Sequence, residues 1–141
     1  MEQNRNVLKW IRYGVLFAYW MVIFAGTHVP GRAISSDLAN DKLLHFLAFS
    51  GLSFLLAWVL TPCRPTRTAM GAILLVALLY GALDELTQLF VPRRNADIYD
   101  WFADVGGTIF GLLAYLVSWT LANEVCGSLL HTTPIAVTPE E

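Results

Sequence analysis

The stretch 69–90 is apolar almost throughout and long enough to cross a bilayer as a helix, yet it carries Asp84, Glu85 and Gln88. An ionised carboxylate inside a membrane costs about 2.5–3.5 kcal/mol on insertion scales, and two adjacent ones demand partners or water. At about 1.5 Å per residue, Asp84 lies roughly 9 Å inside the end of this stretch, too deep for so short a side chain to snorkel to the interface. Any fold for this chain must therefore bring polar groups from elsewhere to this point.

Three other stretches, 10–27, 42–60 and 101–122, are also apolar and long enough to span a hydrocarbon core of about 30 Å, which takes roughly 20 helical residues. The whole chain of 141 residues is 56% hydrophobic and 14% charged. Its mean hydropathy of +0.55 fits a bilayer better than water as solvent. The expectation is an all-α, polytopic membrane protein: a four-transmembrane-helix bundle over 1–122, followed by a flexible cytoplasmic tail over 123–141. Pro30 and Gly31 break the chain after the first span, Pro62 and Pro65 separate the second from the third, and Pro92 follows the third. Arg5, Lys9 and Arg12 precede the first span as they would a signal peptide, but its long core with Tyr19 and Trp20 marks a retained helix.

Arg5, Lys9, Arg12, Arg64 and Arg67 fall on one side of such a bundle, and Arg32, Lys42, Arg93 and Arg94 on the other. The first group carries the greater basic count, which places both termini in the cytoplasm of a multi-pass protein of the cytoplasmic (inner) membrane. The scattered Lys and Arg residues form no stripe for nucleic acid. Cys63 and Cys126 make neither a disulfide framework nor a metal quartet. Trp residues near the span ends read as interface anchors, and His28 in the loop after the first span reads as a solvated side chain.

The second and fourth spans start where the third ends, so their polar residues share one membrane face. Asp41 and His45 lie one turn apart on the second helix, with Lys42 between them. Asp100 and Asp104 lie four apart on the fourth, and Arg94 stands in the preceding connection. His45, Asp84, Glu85, Gln88, Asp100 and Asp104 should thus meet at similar depth. Behind them, Gly107 and Gly111 form a small-xxx-small pair that lets the fourth helix approach a neighbour closely. Asp37 and Asp41 also suit the capping of the second helix.

Three readings compete for this cluster. In one it is structural, with Arg94 or Lys42 neutralising Asp84 or Glu85 beneath His45. In the second it is a binding or catalytic site, with His45, Asp84 and Glu85 as acid–base groups. Asp41, Lys42, Gln88, Arg94, Asp100 and Asp104 would then be substrate-binding, Arg94 gripping an anion. In the third it holds a metal, although one histidine among acids lacks the spacing that makes zinc motifs specific. No metal and no cofactor is expected on that ground.

The order Asp41-Lys42-xx-His45-Phe46, Asp84-Glu85-xx-Gln88-xxx-Pro92-x-Arg94 and Asp100-xxx-Asp104-xx-Gly107-xxx-Gly111 resembles the VanZ-like family of bacterial membrane proteins. The resemblance covers roughly 27–121 and picks out the residues that helix geometry had gathered. Phe49 stands where the family commonly has tyrosine, and Asp104 where asparagine is common, so a hydroxyl is lost and a charge added. The resemblance implies a link to glycopeptide resistance, teicoplanin in particular. Two functions stay open. One is a protein that binds or modifies a cell-envelope lipid or peptidoglycan precursor at the outer leaflet. The other is a non-enzymatic module whose polar cluster is structural and which binds a partner membrane protein or a second copy of itself.

Overall fold

The computed structural model describes residues 2–28, 38–61, 63–92 and 94–131. They form four helices: α1 (Glu2–Thr27), α2 (Leu38–Leu60), α3 (Arg67–Gln88) and α4 (Ile98–His131). All four are long and apolar enough to cross a membrane, and there is no strand among the described residues. The all-α, four-span expectation is met. α4 runs on to His131, beyond the end of the expected span at 122, while 132–141, Asp37, Arg32, Arg93 and the Pro30-Gly31 break lie outside the described residues.

The helix ends follow local chemistry. Thr66 caps α3, its Oγ1 accepting from the Ala69 N–H at 3.2 Å. α3 stops at Gln88, earlier than the apolar run suggests. There the Phe90, Val91 and Arg94 N–H groups turn back onto the carbonyls of Thr87, Gln88 and Val91. Asp97 then caps α4, accepting from the Tyr99 N–H at 2.9 Å. Asp41 lies inside the first turn of α2, where a carboxylate favours the positive end of the helix dipole.

The closest pairing is α2 with α4. A Cβ on Gly107 would overlap the Phe46 carbonyl, and one on Gly111 the Ser50 carbonyl and Ser53 hydroxyl. The glycine pair is therefore what lets these two backbones meet. Ser53 Oγ reaches across to the Thr108 carbonyl at 3.1 Å. At the far end, the Tyr115 hydroxyl donates to the Thr61 carbonyl at 2.8 Å. Ala57, Ile73, Leu112 and Tyr115 fill the core between these helices and α3.

α1 is held differently. Ile23 is its one buried hydrophobic side chain among the described residues, packed with Phe49 and Leu52 of α2. The Tyr19 hydroxyl donates to the Ala48 carbonyl at 3.1 Å, and the Arg12 guanidinium lies over the Trp58 ring at 4.8 Å.

Candidate functional site

α1 and α3 end, and α2 and α4 begin, at one end of the bundle, and there the polar residues collect. His45, Asp84, Glu85, Gln88, Asp100 and Asp104 are all buried, between 1% and 6% exposed. The burial expected from depth alone is present, but the residues resolve into three neighbouring groups.

The first group fastens the α3–α4 connection. Lys42 Nζ donates to Asp97 Oδ2 at 2.7 Å and to Asp100 Oδ1 at 2.8 Å. The Asp97 N–H donates to Glu85 Oε2 at 2.8 Å, so an α3 carboxylate fixes the residue that caps α4. Asp97 lies between the spans, and its hydrogen bond from Lys42 holds its carboxyl below the usual carboxylate range. With both carboxylates in place, Lys42 is occupied.

The second group lies between α2, α3 and α4. His45 Nδ1 is 3.0 Å from Asp104 Oδ1 and 3.9 Å from Glu85 Oε1. Gly81 makes room for it, since a Cβ there would press on Asp104 Oδ2 and Phe49. Phe49 is fully buried and stacks on Tyr80 with ring centroids 5.7 Å apart.

The third group centres on Asp84. Its Oδ1 accepts from Thr27 Oγ1 at 3.0 Å and its Oδ2 from Gln88 Nε2 at 2.9 Å. Gln88 Oε1 in turn accepts from Arg94 Nη1 at 3.4 Å, and Arg94 Nη1 is 3.6 Å from Asp41 Oδ1. The structural reading paired Arg94 or Lys42 with Asp84 or Glu85. The structure pairs these cations with Asp41, Asp97 and Asp100 instead, and among the described residues neither Asp84 nor Glu85 has a Lys or Arg partner.

His28 departs from the solvated reading. Its ring stacks on Phe24, its Nε2 is 3.1 Å from Thr87 Oγ1 and its Nδ1 is 4.0 Å from Asp84 Oδ1. Thr27, His28 and Asp97 thus join the cluster without having been assigned to the site. The sequence signal for them is position: the end of the first span lies at the same face of the bundle as the starts of α2 and α4 and the end of α3.

A cavity of about 290 Å³ adjoins this end, between α1 and α2. Val22, Ile23, Leu44, Leu47 and Ala48 give it an apolar wall, while Thr27, Asp41, His45 and Arg94 bring polar groups to it. Of the nine residues read from sequence, Asp41, His45 and Arg94 line this cavity. Lys42, Asp84, Glu85, Gln88, Asp100 and Asp104 lie behind it in the hydrogen-bonded groups. The Arg94 Nε is buried without a partner, which leaves this cation with unused donor capacity.

A sequence model of the VanZ/LLP1 family matches residues 3–120, most of the chain and nearly all of the four spans. The chain belongs to the VanZ/LLP1 family. Among curated proteins, this VanZ/LLP1 member is similar to the uncharacterized protein C11E3.10 of Schizosaccharomyces pombe, 29% identical over 104 residues. That likeness covers 73% of this chain and 63% of the yeast protein, so the chain spans under two thirds of its relative. No solved structure matches the chain.

Proposed function

We propose that this VanZ/LLP1 protein binds an amphiphile with an anionic headgroup, a lipid or lipid-linked precursor, in the cavity between α1 and α2. The observation that carries this reading is the arrangement of that cavity. Aliphatic side chains line it, while at its polar part Arg94 meets Asp41 only at 3.6 Å and keeps an unpartnered Nε. A guanidinium with free donors suits a phosphate or carboxylate, and the aliphatic wall suits a chain. Lys42 is the contrasting cation, since two carboxylates already hold it.

His45 lines the same cavity, with Asp104 Oδ1 against its Nδ1. A carboxylate behind an imidazole orients the ring and supports proton transfer at its other nitrogen, so acid–base chemistry on the headgroup is the enzymatic extension of this reading. Asp84 and Glu85 serve it from behind, Asp84 through Gln88 to Arg94 and Glu85 through the α4 cap. Five basic residues at the opposite end support an orientation with this cavity at the outer leaflet of the cytoplasmic membrane and both termini inside. The resemblance to glycopeptide-resistance proteins supports an envelope ligand.

Native mass spectrometry of gently purified protein tests the reading. A co-purifying anionic lipid on the wild type, and its loss in Arg94→Ala with an unchanged helical spectrum, is the expected result. Equal lipid retention by both proteins would overturn it. Lower glycopeptide susceptibility of expressing cells, abolished by Arg94→Ala and His45→Ala at equal membrane abundance, is the expected phenotype.

A further inference from the structure

The geometry points to a divalent metal site formed by His45, Glu85 and Asp104, suited to Zn²⁺ or Mn²⁺. One nitrogen of His45 and one carboxylate oxygen from each acid lie within 4.8 Å of one another, and all three residues are buried. Nδ1 is the nitrogen that faces both acids, 3.0 Å from Asp104 and 3.9 Å from Glu85. Ligand atoms about 2.1 Å from a tetrahedral ion stand about 3.4 Å apart, so the two distances from Nδ1 bracket that spacing, and with the set spread over no more than 4.8 Å no pair has more than about 1.4 Å to close.

Two independent observations lead from cluster to site. Glu85 Oε1 and Asp104 Oδ2 are buried oxygens with no hydrogen-bond donor, on residues 6% and 1% exposed. Buried acceptors left unmet are rare because each costs about 1–3 kcal/mol. The second observation is charge. Among the described residues no Lys or Arg pairs with either acid, so His45 is the one basic side chain that the two carboxyl groups share, and both are left short of a cation whenever they ionise. A divalent ion supplies both the missing charge and the missing partner.

His45 also borders a second trio with Asp41 and Asp100. Those carboxylates are already engaged, Asp41 with Arg94 and Asp100 with Lys42, which leaves the Glu85–Asp104 side as the one with free oxygens. One imidazole with two carboxylates favours Zn²⁺ or Mn²⁺ over Ca²⁺ or Mg²⁺, which take oxygen ligands. The inference runs against the expectation drawn from sequence spacing, because these ligands come from three helices and make no linear motif. It does not rest on the amphiphile reading.

The test is metal titration of the full-length protein in nanodiscs after chelator treatment, with Zn²⁺ and Mn²⁺ each followed by calorimetry and by elemental analysis of the washed protein. About one equivalent per chain is expected. His45→Gln and Asp104→Asn, checked for unchanged helical content and elution, should each weaken binding by more than about 100-fold, beyond the 10–100-fold typical of outer-shell changes. Arg94→Ala should keep the metal while losing co-purified lipid, so the two readings fail separately. No binding by wild type, equal binding by Asp104→Asn, or a loss that follows Asp100→Asn instead would overturn the site.

Discussion

The α2–α4 seam and the contact of α1 with the rest of the bundle are built on opposite plans. The seam is closed by Gly107 and Gly111 against backbone carbonyls and pinned by Ser53 and Tyr115. α1 leans on one buried isoleucine, on hydrogen bonds from the Tyr19 and Thr27 hydroxyls, and on ring contacts of Trp20 with Tyr80 and of Arg12 with Trp58. Among the described residues three cavities lie along it, about 290 Å³ near Arg94, about 460 Å³ bordered by Leu16, Trp20, Leu56 and Tyr80, and about 420 Å³ bordered by Arg5, Arg12 and Leu60. Lipid tails are as apolar as leucine, so in a membrane tight association depends on close backbone approach and hydrogen bonds. The pair that has both forms the frame. The helix that lacks the close backbone approach forms the wall that, on the proposed amphiphile reading, an entering chain would displace.

The sharpest way to break this contrast is to crowd the seam. Gly111→Val places new atoms against the Ser50 carbonyl and Ser53 hydroxyl, where the obstacle includes backbone. A loss of about 3 kcal/mol or more is expected, read as failure to accumulate folded protein or as an early transition in denaturing detergent. Gly14→Ala on α1 meets nothing within 4 Å and should change stability by less than about 1 kcal/mol. Similar losses from both would show that α1 is as tightly built as the seam.

A smaller effect probes the attachment of α1 itself. A Cβ at Gly51 would collide with the end of the Tyr19 side chain, which can swing away at the expense of its bond to the Ala48 carbonyl. Gly51→Ala and Tyr19→Phe should each cost about 0.6 kcal/mol, the average of interhelical hydrogen bonds in membranes, and at most about 1.7 kcal/mol. Crosslinking yield between cysteines placed on α1 and α2 should fall while α2–α4 crosslinking holds. A fall in both would mean that α1 supports the frame.

Much of this contrast was legible in the chain because membrane helices announce themselves by length and apolarity. The glycine pair on α4 gave the close approach, and the depth of Asp84, Glu85 and His45 gave the common end of the bundle. What stayed hidden was partner choice. Helical spacing places Lys42, Arg94, Asp41 and Asp97 at one end, but which cation meets which carboxylate depends on how the α3–α4 connection turns after Gln88. A loop histidine carries no period, so the place of His28 shows in its stacking on Phe24 and its approach to Thr87 and Asp84. The break at 88 in place of 90 escaped for the same reason, since Leu89 and Phe90 continue the apolar run outside the helix.

The mildest prediction concerns how the frame holds that connection. Asp97 accepts from Lys42 Nζ and from the Tyr99 N–H, and both bonds favour its ionised form, Lys42 foremost. A carboxyl held below its unfolded value binds a proton less readily when folded. Its contribution to stability is therefore complete above the unfolded value of about 3.9 and is lost as pH falls through the folded one. A carbon-13 titration of Asp97 should show a midpoint below about 3.9, and Lys42→Met should move it up toward that value. Asp97 is one-third exposed, so solvent screens the pair and the effect on overall stability should be slight. An Asp97 midpoint that ignores Lys42→Met would mean that the cap hydrogen bond, and not the cation of α2, holds the start of α4 in place.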